Sequence, residues 1–135
     1  MVQTTITYSG DLECDAQHEP SGSTLRTDAP KDNNGKGESF SPTDLVATAL
    51  GSCMLTIMGI AARQLGVDMT GAVATIEKEM VADPHRRIGR LAVRITMPKG
   101  IDKSAQTSLE RAALTCPVHK SLHPDTKIPV EFVWR

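Results

Sequence analysis

Three cysteines are the residues of this chain whose chemistry could amount to an activity. Cys53 lies in "LVATALGSCMLTIMGIAA", Cys116 opens "CPVHKSLH", and Cys14 stands between Glu13 and Asp15. A thiolate is a nucleophile and a soft metal ligand, so each cysteine is a candidate for redox chemistry, for metal binding, or for inert packing as a small apolar group. Glu13 and Asp15 would disfavour a thiolate at Cys14, which reads as structural or incidental. Cys116, His119 and His123 have C-x2-H-x3-H spacing, a possible partial zinc set needing a fourth ligand from Cys53 or Cys14. Pro117 and Pro124 interrupt that segment, and solvent-facing histidines are its simpler reading.

The elements that would position these groups follow from local signals. Ser41, Pro42 and Asp44 read as N-cap, N1 and N3 of a helix running over 41–66, with Gly66 closing it. Cys53 then sits about three turns in, too deep for the helix dipole to help its thiolate, so activation would call for a cation such as an arginine. Ala105, Leu109, Ala112, Ala113 and Cys116 form one apolar stripe over 102–116. Pro117 allows a new short helical turn with Cys116 at its N-cap.

Strands are expected at 3–9, 12–18 and 23–28, then a Pro-, Asn- and Gly-rich loop over 29–39. Period-2 alternation over 72–81 and 87–98 around "ADPHR" predicts an antiparallel hairpin, and 127–135 a closing strand. The order βββ-α-ββ-α-β favours an α+β fold with an antiparallel sheet.

Composition narrows the function classes. The 135 residues fit one domain, and 15 basic against 16 acidic residues leave a net charge of −1, so nothing draws the chain to nucleic acid. Residues 45–62 carry no charge, the lower length limit of a membrane span. Thr48, Ser52, Thr56, Gly51 and Gly59 within that stretch argue for a core helix rather than a membrane one. A helix apolar all round must be buried all round, and one small sheet covers one face. The economical cover for the other is a second copy, with Ala47, Gly51, Ser52 and Ala61 allowing close approach in a homodimer. The start of the chain has neither a basic n-region nor an apolar h-region, and the expected compartment is the cytoplasm.

The pairing of "SPTDLVATALGSC" with a distant "CPVHKSL" resembles the OsmC/Ohr family of thiol-dependent hydroperoxide reductases, and the likeness extends over the whole order of strands and helices. The resemblance implies an intertwined α+β homodimer with the long helix at its centre. It also implies a peroxidase for organic hydroperoxides in oxidative-stress defence, with an external thiol as reductant and no cofactor. Cys53 matches the peroxidatic cysteine and Cys116 the resolving one, joined as a disulfide after turnover. Arg26 matches the arginine that stabilises the thiolate. The glutamate of the peroxidase members, which pairs with that arginine, is replaced here by Thr43, with Asp44 adjacent; either would orient Arg26. The alternative is a non-catalytic dimer of the same fold that binds an apolar small molecule or a metal ion.

Overall fold

The computed structural model describes residues 1–135. It falls into two compact units, Met1–Val46 and Ala47–Arg135. The first holds a three-stranded antiparallel sheet of β1 (Thr4–Gly10), β2 (Glu13–His18) and β3 (Thr24–Asp28), with β2 in the middle. The register places Ile6, Ala16 and Leu25 abreast, with Tyr8, Cys14 and Thr27 beside them on the same face. Asp15 and Arg26 pair on the other face. A 3-10 turn at Lys31–Asn33 lies within the loop that follows. Asp28, only 1% exposed, accepts the Glu38 N–H at 3.0 Å and ties that loop down.

Helix α1 (Pro42–Gln64) begins as its cap residues dictate. Asp44 Oδ2 accepts the Ser41 N–H at 2.9 Å, and Ser41 Oγ accepts the Asp44 N–H at 3.1 Å, a reciprocal capping box. At the far end Gly66, at φ +68°, turns the chain out of the helix. Val67 N–H donates to Ala62 O and Gly66 N–H to Arg63 O, the paired bonds of a Schellman close. By length and composition this helix could cross a membrane. One of its faces is nevertheless committed to the core: Ala47, Leu50, Gly51, Met54, Met58 and Ala62 are buried.

The second unit carries the other sheet, in which β5 (Arg87–Met97) lies between β4 (Val73–Val81) and β6 (Val130–Trp134). The expected β4–β5 hairpin is present. The expectation of an antiparallel sheet needs one correction, because β6 runs parallel to β5. Its cause is the connection between them: α2 (Lys103–Ala113) and α3 (Pro117–Ser121) form a helical crossover, the kind of link a parallel pair requires. Leu91, Val93, Ile95 and Met97 of β5 meet α1, Ile101, and Ala105, Leu109 and Ala113 of α2 in one apolar core. Gly51 marks a close approach to the sheet, since a Cβ there would stand 2.9 Å from Ile76 Cδ1. Ala47 and Gly51 therefore face this chain's own core, not a helix partner. Of the four small residues assigned to a helix–helix seam, Ser52 is the one that is exposed.

Candidate functional site

The two cysteines expected to act together are brought together. Cys53 projects half-buried from α1 and packs against the core, while Cys116, wholly buried, belongs to that core. Both are free thiols, and Cys53 is near enough to influence the ionisation of Cys116.

Local geometry explains how Cys116 is held. It is the N-cap of α3, in extended conformation at φ −62° and ψ 138°, with Pro117 following at the start of the helix. Its Sγ accepts the His119 N–H at 3.2 Å, so sulfur takes the place that a serine oxygen commonly fills. Burial is the largest influence on its ionisation and pushes the thiol pKa up. The His119 N–H works against that rise, and the neighbouring Cys53 sulfur reinforces it. The balance favours the protonated form of Cys116.

The zinc set suggested by sequence spacing is not assembled. No three His, Cys, Asp or Glu side chains are placed to hold a metal ion. The segment's hydrogen bonds point elsewhere: Cys116 Sγ takes the His119 N–H, and His123 Nδ1 accepts the Asp125 N–H at 3.0 Å in the turn after α3.

Arg26 lies on β3 with more than half of its side chain exposed. It grips Asp15 in bidentate fashion, Nε to Oδ1 at 2.9 Å and Nη2 to Oδ2 at 3.0 Å, with Glu13 Oε2 3.9 Å from Nη1. Ser9 Oγ donates to the same carboxylate. The Arg26 guanidinium, with Ser9 in support, holds the Asp15 pKa down to about 2, and Asp15 in turn raises that of Arg26. Thr43 and Asp44 were expected to orient this arginine, and the structure gives both a place in the helix cap. Thr43 Oγ1 lies 3.3 Å from Ser41 Oγ, and the Asp44 carboxylate accepts from Ser41. Sequence reasoning missed Asp15 as the partner of Arg26. The signal was the hairpin register, which sets the two residues side by side on neighbouring strands. Cys14 lies opposite Tyr8 and Thr27 on the sheet's other face.

A groove of about 430 Å³ on the outer face of the β4–β5–β6 sheet is lined by Thr75, Glu77, Arg90, Arg94 and Glu131, among others. Within it Arg94 pairs with Glu131 at 3.1 Å, Arg90 pairs with Glu79 outside the lining at 3.5 Å, and no thiol lines it.

A half-buried thiol and a buried one thus sit in a two-sheet α+β fold with a long cysteine-bearing helix. Residues 35–131 match the family model of the OsmC-like proteins, and the chain belongs to that family. Solved structures extend the likeness. A Psychrobacter arcticus protein, described as an osmotic-stress-induced and detoxification response protein, is 48% identical, with 98% of this chain and 96% of that one covered at a TM-score of 0.92. The Legionella pneumophila organic hydroperoxide resistance protein OsmC shares the fold at 14% identity, covering 98% and 96% at a TM-score of 0.79. OhrB of Bacillus subtilis, an organic hydroperoxide resistance protein, does so at 15%, covering 98% and 97% at 0.69. No curated protein matches the chain.

Proposed function

We propose that this protein is a thiol-dependent peroxidase for organic hydroperoxides, with Cys53 as nucleophile and Cys116 as resolving thiol. The observation that carries the reading is the meeting of these two distant cysteines in one apolar core. The Cys53 thiolate attacks the terminal peroxide oxygen, forming an S–O bond as the O–O bond breaks. The departing alkoxide takes a proton and leaves as the alcohol, and Cys53 is oxidised to sulfenic acid. Cys116 then attacks the Cys53 sulfur. A disulfide forms, and water leaves with the sulfenic hydroxyl and the thiol proton. An external dithiol reduces the disulfide and restores both thiols. The apolar walls around Cys53 favour organic peroxides over hydrogen peroxide. Hydroperoxide-resistance proteins among the structural neighbours support the same reading.

The working form in this proposal is a cytoplasmic homodimer, and two faces of the chain support it. Thr48, Ala49, Ser52, Thr56 and Ile60 leave one side of α1 exposed. Ile6, Tyr8 and Leu25 are 60%, 64% and 46% exposed on one face of the first sheet. The sheet face is apolar and the helix face uncharged with three hydroxyls; exposed apolar surface is commonly covered by a partner, and a second copy would cover both. Arg26 serves in the proposal as the cation near the nucleophile, and its grip on Asp15 moderates the charge it can offer.

The test is turnover of cumene hydroperoxide with a dithiol reductant, together with mass spectrometry of the oxidised protein. Wild type should consume peroxide and accumulate a Cys53–Cys116 disulfide when reductant is withheld. Cys53→Ser should lose activity by at least about a hundredfold. Peroxide that leaves both thiols free in the native protein would sink the proposal.

A further inference from the structure

The loop between β3 and α1 carries the chain's one Asn-Gly step, with Asn34 exposed and Gly35 half-buried. An asparagine side chain loses its amide when the next residue's backbone nitrogen gives up its proton and attacks Cγ. Glycine favours that step because no side chain hinders the approach. The new C–N bond closes a succinimide ring, and the side-chain nitrogen leaves as ammonia. Water then opens the ring at one of its two carbonyls, giving aspartate or isoaspartate, and nothing is oxidised or reduced.

The fold of the loop holds this reaction back. Gly35 N–H donates to Pro30 O at 2.9 Å, so the nitrogen that would attack has its proton fixed on a carbonyl. Asn33 N–H donates to the same oxygen at 2.9 Å, and Gly37 N–H to Ala29 O at 3.2 Å. Asn34 lies among them in the left-handed region at φ +70°, which asparagine tolerates. Two side-chain ties dock the loop on β3: Asp28 Oδ2 accepts Glu38 N–H at 3.0 Å, and Ser39 Oγ donates to Arg26 O at 2.8 Å. The Asp28 tie is a compromised one. Its other oxygen, Oδ1, is buried without a hydrogen-bond partner. A buried acceptor left unpaired offsets part of what the bonded oxygen contributes, and opening of the loop would return it to water.

We infer that Asn34 is a site of spontaneous deamidation gated by the Asp28 latch. While the loop is docked, Gly35 N–H stays on Pro30 O; each opening frees that nitrogen to attack. The change runs one way. Isoaspartate lengthens the main chain by a methylene where there is no slack, since even a Cβ on Gly35 would stand 1.7 Å from Ala29 O. The modified loop therefore cannot dock again, and the Arg26 carbonyl loses its bond from Ser39.

The test follows position 34 over time in mildly alkaline buffer by peptide mass spectrometry that separates asparagine, aspartate and isoaspartate. The native protein is compared with the same chain unfolded in urea. The unfolded chain should convert, and the native protein at least about tenfold more slowly, because conversion tracks the population of the open loop. Asp28→Ala removes the latch and should speed native conversion by about tenfold; Ser39→Ala, an exposed change, by about threefold. Asp28→Asn, which keeps an acceptor for Glu38 N–H, should fall between wild type and Asp28→Ala. Thermal melts show which variants are folded, and Ser39→Ala carries the test if Asp28→Ala is not. Native wild type converting as fast as the unfolded chain would overturn the inference. So would folded latch variants that convert no faster than wild type.

Discussion

The thiol pair and the Arg26–Asp15 pair each fix the ionisation of a side chain, and they do it by opposite means. Cys116 lies in a dry core, where loss of water is the largest influence and favours the neutral form. Asp15 lies in solvent, where nothing but a direct partner can move it, and the bidentate Arg26 with Ser9 pulls its pKa down to about 2. The difference shows where each control is robust. A buried group is tuned by everything packed around it, so substitutions that loosen the core disturb it. An exposed pair is tuned by two or three atoms, loses strength in salt, and adds little to the stability of the fold.

The largest effect that would separate the two regions is packing. Leu109 is fully buried in the core with the thiols, whereas Leu25 is 46% exposed on the first sheet. Leu109→Ala should cost about 2–5 kcal/mol in urea unfolding, through lost burial and a residual cavity. Leu25→Ala should cost less than about 0.5 kcal/mol if its face is open. Sedimentation at the same protein concentrations supplies the second readout. A Leu25→Ala cost comparable to that of Leu109→Ala, with a concentration-dependent dissociation, would show that a second copy covers the sheet and that the two regions are equally buried in the assembled protein.

Much of this contrast was legible in the sequence, and the failures have physical causes. The start of α1 could be read because Ser41, Pro42 and Asp44 act on their own backbone within one turn. The N-cap role of Cys116 could be read because Pro117 needs a helix start. The meeting of Cys53 and Cys116 was suggested only by resemblance, since nothing in the spacing of two distant residues says that they touch. The orientation of α1 was misread although a signal for it was present. Thr48, Ser52 and Thr56 recur at i, i+4 and i+8 and mark the outer side, whereas small size alone does not mark a seam, and Ala47 and Gly51 proved to belong to the inner face. The parallel placement of β6 and the pairing of Arg26 with Asp15 depend on crossover and register, which emerge only when strands are assembled. Period-2 alternation reports faces and says nothing of neighbours.

A smaller effect is expected at the cap between the regions. Ser41→Ala removes the oxygen that accepts the Asp44 N–H and should lower stability by about 1 kcal/mol. Asp44→Asn should cost less, because an amide oxygen can still accept from Ser41 N–H. Equal losses in the two variants would mean that the charge of Asp44, acting on the helix dipole, outweighs the reciprocal bonds. Urea unfolding of both variants in low and high salt separates these terms, since only the charge contribution is screened.

The smallest effect is also the most local. Carboxyl NMR should find Asp15 titrating near 2, below its ordinary value of 3.8. Because the folded-state pKa is the lower of the two, the pair favours the folded protein above about pH 4, where the unfolded chain's Asp15 is also ionised. That contribution fades as acid protonates the unfolded form and is gone once the pH falls through the folded value near 2. Arg26→Gln should raise the Asp15 midpoint most of the way toward 3.8, with Ser9 retaining part of the depression, and leave the thermal midpoint at pH 7 almost unchanged. The same variant leaves the thiol core intact, so its effect on Cys53 alkylation measures how far the arginine's charge reaches the nucleophile. A Cys53 midpoint unmoved by Arg26→Gln would remove the arginine from thiolate activation. A midpoint raised by Arg26→Gln would assign that role to the exposed arginine.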